Sequence, residues 1–197
     1  MNGHTTRQSP FSGRRVLIGL SGGIACYKVA TVVSQLAQQG AEVTVLMTPA
    51  AEKFITPLTF QALSGRPVYT SAWQHIESHD PQHIDLARSA DLMLIAPATM
   101  DIIAKLAHGF TDDVVTLIAS ALDRQRQPLL VAPSMNAVML AQPVTQRNLQ
   151  QLEEDGCIII PPGEGWQACR TSGAGRLPEP EQLIESMANH LPTGKTG

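Results

Sequence analysis

Short runs rich in Val, Ile and Leu alternate with helix-like stretches, and this alternation limits the possible folds more than any other feature of the chain. Strands are predicted at residues 15–20, 41–48, 91–98, 127–134 and 157–162. Helices are predicted between them at residues 24–39, 100–108, 112–122 and 144–155. Continuous apolar strands separated by helices are typical of a parallel sheet with helices on both faces. The sequence therefore predicts an α/β fold, a Rossmann- or flavodoxin-like single domain.

Length and composition narrow the organisation and the partners. A chain of 197 residues can bury a sizeable core, and we expect a flexible lead-in at 1–13, the domain at 14–191 and a flexible tail at 192–197. The formal net charge of −3 gives no electrostatic case for nucleic acid or an anionic membrane as partner. No apolar run approaches the roughly 20 residues that span a bilayer. Three cysteines without metal-ligand spacing favour a reduced, cytoplasmic protein without a metal site.

The stretch "GLSGGIACYK" places a glycine turn between the first strand and its helix. Ligands of open α/β sheets bind beyond the carboxyl ends of the strands, where this turn lies. Gly22 and Gly23 let backbone N–H groups approach a phosphate closely, and the Ser21 hydroxyl can donate to it. The turn lacks the Lys-Ser/Thr ending of a triphosphate loop and a full G-x-G-x-x-G, which favours a monophosphate. A merely tight turn is the alternative.

Two further residues follow from their positions in predicted elements. Asp80 can cap a helix and Pro81 suits its first position, so His83 falls in the first turn. There the helix dipole favours the neutral imidazole, which can accept a proton; a surface histidine is the alternative. Asn136 directly follows a strand and offers a donor and an acceptor to a ligand, but it can equally cap the next helix. Arg88, five residues after His83, does not share its helical face.

The segment "GWQACRTSGAGRLPEP" has neither a helical nor an alternating apolar pattern. Its glycines permit the backbone angles that a closing flap needs. Cys169 on such a flap can act as an acid if its pKa is suitably placed, and Arg170 and Arg176 are the nearby groups that would shift it. An ordinary loop with a buried cysteine is the alternative.

Five stretches in this order resemble the homo-oligomeric flavin-containing cysteine decarboxylases, over about residues 15–191. They are "SGGIACYK", "TPLTFQALSGRPV", "HIDLARSADLMLIAPATMDIIAKLAHGFTDDVVT", "PSMNAVM" and "ACRTSGAGRLPEP". The resemblance implies bound FMN and a small-molecule substrate that carries a thiol and a carboxylate. The implied reaction is decarboxylation of 4′-phosphopantothenoylcysteine to 4′-phosphopantetheine in coenzyme A biosynthesis, through thioaldehyde and enethiolate intermediates. It also implies homotrimers or dodecamers with active sites at subunit interfaces.

The same resemblance implies roles for individual residues. His83 would assist proton removal during the oxidation of the substrate, and Cys169 would supply a proton to the enethiolate. Substrate contacts are implied for Asn136, which would grip the carboxylate, and for Met135, Arg88, Ala168 and Arg170. Flavin contacts are implied for Ser21, Gly22, Gly23, Ile24, Thr48, Thr99, Met100, Asp101, Ile102 and Ser134.

The chain departs from the family pattern near the expected substrate. Arg170 and Thr171 follow Cys169 where the family commonly has glycine and often an acidic residue, and Leu140 stands where an aromatic residue is usual. Arg170 could pair with a substrate phosphate.

Other functions are weighed against this one. A decarboxylase of peptides ending in cysteine can stop at the enethiol and needs no returning acid, so Cys169 favours the coenzyme A reaction. A non-catalytic flavin-binding regulatory subunit also stays open. A flavin prenyltransferase is disfavoured because its loop characteristically reads Ser-Gly-Ala-Ser-Gly. An electron-transfer flavodoxin is disfavoured because such proteins are typically strongly acidic and need no thiol-bearing lid.

Overall fold

Six parallel strands in the order β3-β2-β1-β4-β5-β6 form the centre of the computed structural model, which describes residues 9–73, 82–168 and 170–192. The strands are β1 (Arg15–Leu20), β2 (Glu42–Met47), β3 (Val68–Tyr69), β4 (Leu92–Ala98), β5 (Leu129–Pro133) and β6 (Ile158–Ile159). This order is the one found in doubly wound dinucleotide-binding sheets, in which the winding direction reverses between β1 and β4. The predicted Rossmann- or flavodoxin-like fold is confirmed.

Helices cover both faces of the sheet because the strand side chains alternate between two cores. Val16 and Ile18 of β1 belong to one core, and Leu17 between them belongs to the other. The first core is completed by α1 (Cys26–Gln38), α2 (Pro57–Ser64) and α8 (Pro180–His190). The second is completed by α3 (Gln82–Ser89), α4 (Met100–Ala107), α5 (Val114–Ser120) and α7 (Pro143–Glu154). Among the described residues, no helix is long and apolar enough to cross a bilayer.

The segment predicted as an open, bending loop is a β-hairpin followed by a helix. Its strands, β7 (Gly163–Trp166) and β8 (Ser172–Arg176), pair in an antiparallel ribbon apart from the main sheet, and α8 begins at Pro180. Glycine-rich strands carry no apolar alternation, so their pairing leaves no pattern in the sequence. The sequence also did not predict β3, α2 or the four-residue α6 (Ala137–Leu140), which are short.

Residues 9–13, which the sequence assigned to a flexible lead-in, contact the domain. Phe11 is buried in the first core, and the Gly13 N–H donates to the Gly40 carbonyl at 2.9 Å. At the other end, Arg14 Nη2 donates to the Pro192 carbonyl at 2.9 Å. Residues 9–13 and 192 therefore pack on the domain. Residues 1–8 and 193–197 of the predicted lead-in and tail lie outside the described residues.

A buried glutamine closes the C-terminal end of α3. Gln127 Nε2 lies 2.6, 3.1 and 2.9 Å from the carbonyl oxygens of Ala87, Arg88 and Ala90. We expect Gln127→Leu to lower the free energy of unfolding by about 2–3 kcal/mol, because these carbonyls lose their buried donor. Urea denaturation followed by circular dichroism measures the change.

Gln125 serves as the matched control for this prediction. It lies two residues away on the same connection, and its side chain is exposed. Gln125→Leu is expected to change the free energy of unfolding by less than about 0.5 kcal/mol. A Gln127→Leu protein as stable as the Gln125→Leu protein would show that the amide contributes nothing.

Candidate functional site

A cavity of about 490 Å³ opens at the carboxyl edge of the sheet, beyond the ends of β1, β4 and β5. It lies at the reversal of the strand order, which is where open α/β sheets bind ligands. Its volume falls in the range of about 300–1,000 Å³ that is usual for small-molecule sites. The structure brings nine of the predicted site residues to its wall: Gly22, Gly23, Ile24, Thr99, Met100, Ser134, Met135, Asn136 and Ala168.

The glycine turn has no room for a side chain at Gly22 but has room for one at Gly23. A Cβ added to Gly22 would lie 2.5 Å from the Ala50 Cβ and 2.9 Å from the Ala50 carbonyl carbon, so only glycine fits there. A Cβ on Gly23 would lie 3.6 Å from the nearest side-chain atoms, which is ordinary contact. The N-cap of α1, Ala25, has no side chain that accepts a hydrogen bond. The N–H groups at such a helix start bind anions readily.

Ser21 lies beneath the cavity and contacts protein groups. Its Oγ donates to the Pro97 carbonyl at 2.6 Å and accepts from the Thr99 N–H at 2.9 Å. Thr99 Oγ1 in turn accepts from the Ile102 N–H at 3.4 Å as the cap of α4. Ser21 therefore fixes the turn between β4 and α4 and is not part of the cavity wall. The contact of its hydroxyl with a phosphate stays a prediction.

Three other predicted flavin contacts lie away from the cavity in this chain. Thr48 is buried, and its hydroxyl accepts from the Ala51 N–H at 3.2 Å at the start of a short 3₁₀ turn. Ile102 is fully buried in the second core. Asp101 is exposed, and its carboxylate lies 3.7 Å from Lys105 on the same helix. The cavity wall includes only Thr99 and Met100 from the start of α4, and the flavin contacts of Thr48, Asp101 and Ile102 stay predictions.

The structure shows the capping role of Asn136 and leaves the other end of its amide at the cavity wall. Its Oδ1 accepts from the Met139 N–H at 2.8 Å and so caps α6. The Nδ2 group remains as a donor at the cavity wall, which Asn136 lines. An asparagine at this position can therefore shape the turn and contact an anionic ligand together.

The hairpin forms one side of the cavity. Its contributions to the wall are Trp166, Gln167, Ala168, Gly175 and Arg176. At its tip the Gln167 carbonyl accepts from the Arg170 N–H at 2.9 Å, and the Gln167 N–H donates to the Thr171 carbonyl at 2.8 Å. Arg170 is exposed with a left-handed backbone (φ 64°) and does not line the cavity in this chain. Cys169 lies outside the described residues.

Lys28, which was not predicted as a site residue, gives the cavity wall a positive charge. Lys28 is buried, and its Nζ donates to Glu179 Oε1 at 2.8 Å and to the Leu177 carbonyl at 3.1 Å. Arg176 Nη2 lies 3.1 Å from the same carboxylate oxygen. The hydrogen bond from Lys28, aided by both positive charges, lowers the pKa of Glu179. Two cations and one carboxylate leave a net positive charge that favours an anionic ligand.

A signal for Lys28 was present in the sequence. The stretch "SGGIACYK", one of the five on which the resemblance rests, ends in this lysine. Gln167 carried no such signal, because its role depends on how the hairpin packs.

The predicted histidine lies in the predicted kind of element but does not line the cavity of its own chain. His83 occupies the first turn of α3, as predicted, whereas the expected cap at Asp80 and Pro81 lies outside the described residues. Because α3 leads back to the start of β4, its first turn lies towards the carboxyl edge of the sheet. Neither His83 nor Arg88, which is exposed, belongs to the cavity wall.

The two described cysteines are not activated nucleophiles. Burial raises the pKa of both the Cys26 and the Cys157 thiol, and each is a free thiol. Thiolate chemistry needs a lowered pKa and access to solvent, which neither offers. Across the described part of the chain, no three His, Cys, Asp or Glu side chains are grouped to hold a metal ion.

Comparison with known proteins identifies relatives of this chain. The flavoprotein family model matches residues 4–191. Over 173 residues the chain is 46% identical to the coenzyme A biosynthesis bifunctional protein CoaBC of Vibrio vulnificus (strain YJ016), covering 88% of this chain and 42% of that protein. The chain thus spans less than half the length of the curated relatives it matches.

Two solved structures share the fold over most of their length. A cysteine-to-serine mutant of PPC decarboxylase, complexed with pantothenoylaminoethenethiol, is 34% identical with a TM-score of 0.79, covering 90% of this chain and 97% of that one. The FMN binding protein AtHal3 is 33% identical with a TM-score of 0.77, covering 89% and 95%. The resemblance predicted from the five stretches is confirmed, and the chain belongs to the flavoprotein family.

Proposed function

We propose that the chain binds FMN and decarboxylates 4′-phosphopantothenoylcysteine to 4′-phosphopantetheine, a step of coenzyme A biosynthesis. The observation that carries this proposal is the meeting of the glycine turn, Thr99 and Asn136 at one cavity where the strand order reverses. The similarity to CoaBC and to PPC decarboxylase supports the choice of substrate.

The cavity suits FMN in charge and in the character of its walls. The uncapped start of α1 and the neighbouring glycines suit its single phosphate. Ile24, Met100 and Met135 give apolar surface for an aromatic ring. When bound, FMN supplies a reversible hydride acceptor for the substrate carbon next to the thiol.

The residues of the chain bind the substrate and move protons. Asn136 donates from Nδ2 to the substrate carboxylate, and Lys28 with Arg176 makes the wall attractive to its negative charge. Met135, Ala168 and Arg170 are the further substrate contacts, of which the first two line the cavity. His83 accepts the proton that is released as the thiol-bearing carbon is oxidised, and Cys169 later returns one to the enethiolate.

The site is completed by a second copy of the chain in a homotrimer or a dodecamer. His83 and Arg88 do not line the cavity of their own chain. In the proposed oligomer, α3 of another subunit supplies them. Exposed apolar side chains beside the cavity support such a contact: Ile24, Tyr27 and Trp166 are 59%, 62% and 64% exposed. Light scattering after size exclusion tests this, and a monomer at micromolar concentration would contradict it.

Other parts of the proposal concern location and partners. The free, buried Cys26 and Cys157 support a cytoplasmic location, where thiols stay reduced. No nucleic acid or membrane partner is proposed, since the chain carries a net charge of only −3 with both signs interspersed.

The decisive experiment separates the proposed reaction from its alternatives. Purified protein loaded with FMN is incubated with 4′-phosphopantothenoylcysteine and, separately, with a peptide ending in cysteine. Mass spectrometry is expected to show loss of carbon dioxide alone from the first substrate. Loss of carbon dioxide and two hydrogens from the peptide would identify a peptide decarboxylase. A yellow protein that is inert towards both would identify a binding protein.

Gly23→Ala tests the position of the phosphate. The variant is expected to fold like the parent, because its Cβ has room, but to bind FMN at least about tenfold more weakly, because the methyl group occupies space next to the N–H groups. Quenching of FMN fluorescence gives the Kd, and thermal melts of the flavin-free protein give the stability.

Gly22→Ala provides the contrasting variant. Its Cβ would clash with Ala50, so the flavin-free protein itself is expected to melt at a lower temperature. If Gly23→Ala binds FMN like the parent, the phosphate does not lie at this turn.

A further inference from the structure

We propose that Gln167 is a positioning residue that docks the hairpin onto the turn carrying Asn136. The position of the hairpin then determines the position of the Asn136 amide, which is proposed to bind the substrate carboxylate. This inference rests on the proposed function, because it concerns the binding of that substrate.

The side chain of Gln167 bridges the hairpin and both neighbours of Asn136. It is 7% exposed, and its Nε2 donates to the Ala174 carbonyl at 2.7 Å and lies 3.4 Å from the Met135 carbonyl. Its Oε1 accepts from the Ala137 N–H at 3.3 Å. One amide therefore joins the second strand of the hairpin to the residues before and after Asn136.

The backbones of the two segments are in direct contact beside this amide. The Met135 N–H donates to the Gly175 carbonyl at 3.0 Å. Gly175 has φ 118°, and a Cβ there would collide with the Met135 carbonyl oxygen. A Cβ on Gly173 would lie 3.0 Å from the Ala137 Cβ. Because the contact is this close, Gln167 has little freedom to exchange its partners.

The arrangement fixes the direction of the Asn136 amide. Asn136 stands between Met135 and Ala137, both of which are hydrogen-bonded to the hairpin, and its own Oδ1 is held by Met139. Undocking the hairpin would release this turn. Gln167 therefore controls substrate affinity through Asn136, whether or not it contacts the substrate itself.

Gln167→Met tests the inference in the FMN-loaded protein, because methionine keeps the length and volume but forms no comparable hydrogen bonds. We expect KM for 4′-phosphopantothenoylcysteine to rise about tenfold or more, while kcat changes less than about threefold. Trypsin cleavage after Arg170 at the exposed tip is expected to be about tenfold faster, because cleavage needs an undocked hairpin.

Gln167→Glu adds a test that depends on pH. Its carboxylate would face the carbonyl oxygens of Ala174 and Met135 when ionised, but would donate to Ala174 when protonated. KM of this variant is therefore expected to fall towards the parent value as the pH is lowered. Gln167→Met has no ionisable group at this position, so its KM is expected to show no such recovery.

Glu164→Gln is the matched control, since Glu164 is exposed on the first strand of the same hairpin. It is expected to leave KM and the trypsin rate unchanged. Parent-like KM and cleavage in Gln167→Met would overturn the inference, as would a loss of kcat at constant KM. If the parent is inert towards the substrate, the proposed function fails, and the trypsin rates still decide whether Gln167 docks the hairpin.

Discussion

Asn136→Asp is expected to lower kcat/KM for 4′-phosphopantothenoylcysteine by about 10³-fold while the protein stays folded and yellow. The substitution replaces the Nδ2 donor with an anionic oxygen facing the substrate carboxylate. A lost charge-assisted hydrogen bond together with like-charge repulsion amounts to about 4 kcal/mol, which corresponds to this factor. Steady-state kinetics measures the loss.

The fold is expected to survive because the cap of α6 does not depend on the amide nitrogen. An aspartate oxygen accepts from the Met139 N–H as well as Oδ1 does, so the melting temperature should not fall. Asn136→Ser is the control that keeps a capping oxygen without adding charge, and it should lose less activity than Asn136→Asp. Parent-like KM in Asn136→Asp would show that the substrate carboxylate lies elsewhere.

His83→Asn is expected to lower kcat by about 10³-fold, because a positioned general base typically contributes between 10² and 10⁴. FMN should stay bound, since the glycine turn and the apolar wall proposed to hold it are unchanged in the variant. Stopped-flow measurement of flavin reduction on mixing with substrate follows this step directly. Rapid reduction in the variant would remove His83 from the mechanism.

The same variant tests whether two chains build each site. Mixed oligomers of His83→Asn and Asn136→Asp subunits contain some interfaces that unite an intact His83 with an intact Asn136. If each site draws these residues from different chains, an equal mixture is expected to recover about a quarter of the parent activity. If both residues come from one chain, no mixed site is intact and no activity returns. That outcome would contradict the shared site.

The long strands of the main sheet could be predicted from the sequence, whereas the short elements and the glycine-rich hairpin could not. Continuous Val, Ile and Leu runs mark β1, β4 and β5 because both faces of these strands are buried. The hairpin escaped prediction because Gly163, Gly165 and Gly173 pair through their backbones and leave no apolar alternation.

The site was predictable wherever topology alone decides it. The ends of parallel strands meet at one edge, so residues more than 100 positions apart, such as Gly22 and Asn136, were expected to line one cavity, and they do. The inward turn of the Ser21 hydroxyl was not predictable, because its acceptor is Pro97 on another strand. Local patterns also did not indicate that His83 lies outside the cavity wall of its own chain.

The arginine at the hairpin tip affects the free energy of forming the tip conformation. A side chain held at φ 64° carries a steric penalty of about 1 kcal/mol relative to glycine, which the tip must bear when it is ordered. Arginine also has fewer backbone conformations than glycine when the tip is loose, which lowers the entropy lost on ordering by about 0.4–1 kcal/mol. The two contributions nearly cancel, so Arg170→Gly should leave the free energy of forming the tip conformation almost unchanged. The temperature dependence of this free energy should differ, because the glycine variant loses the steric penalty of arginine but loses more conformational entropy when the tip forms.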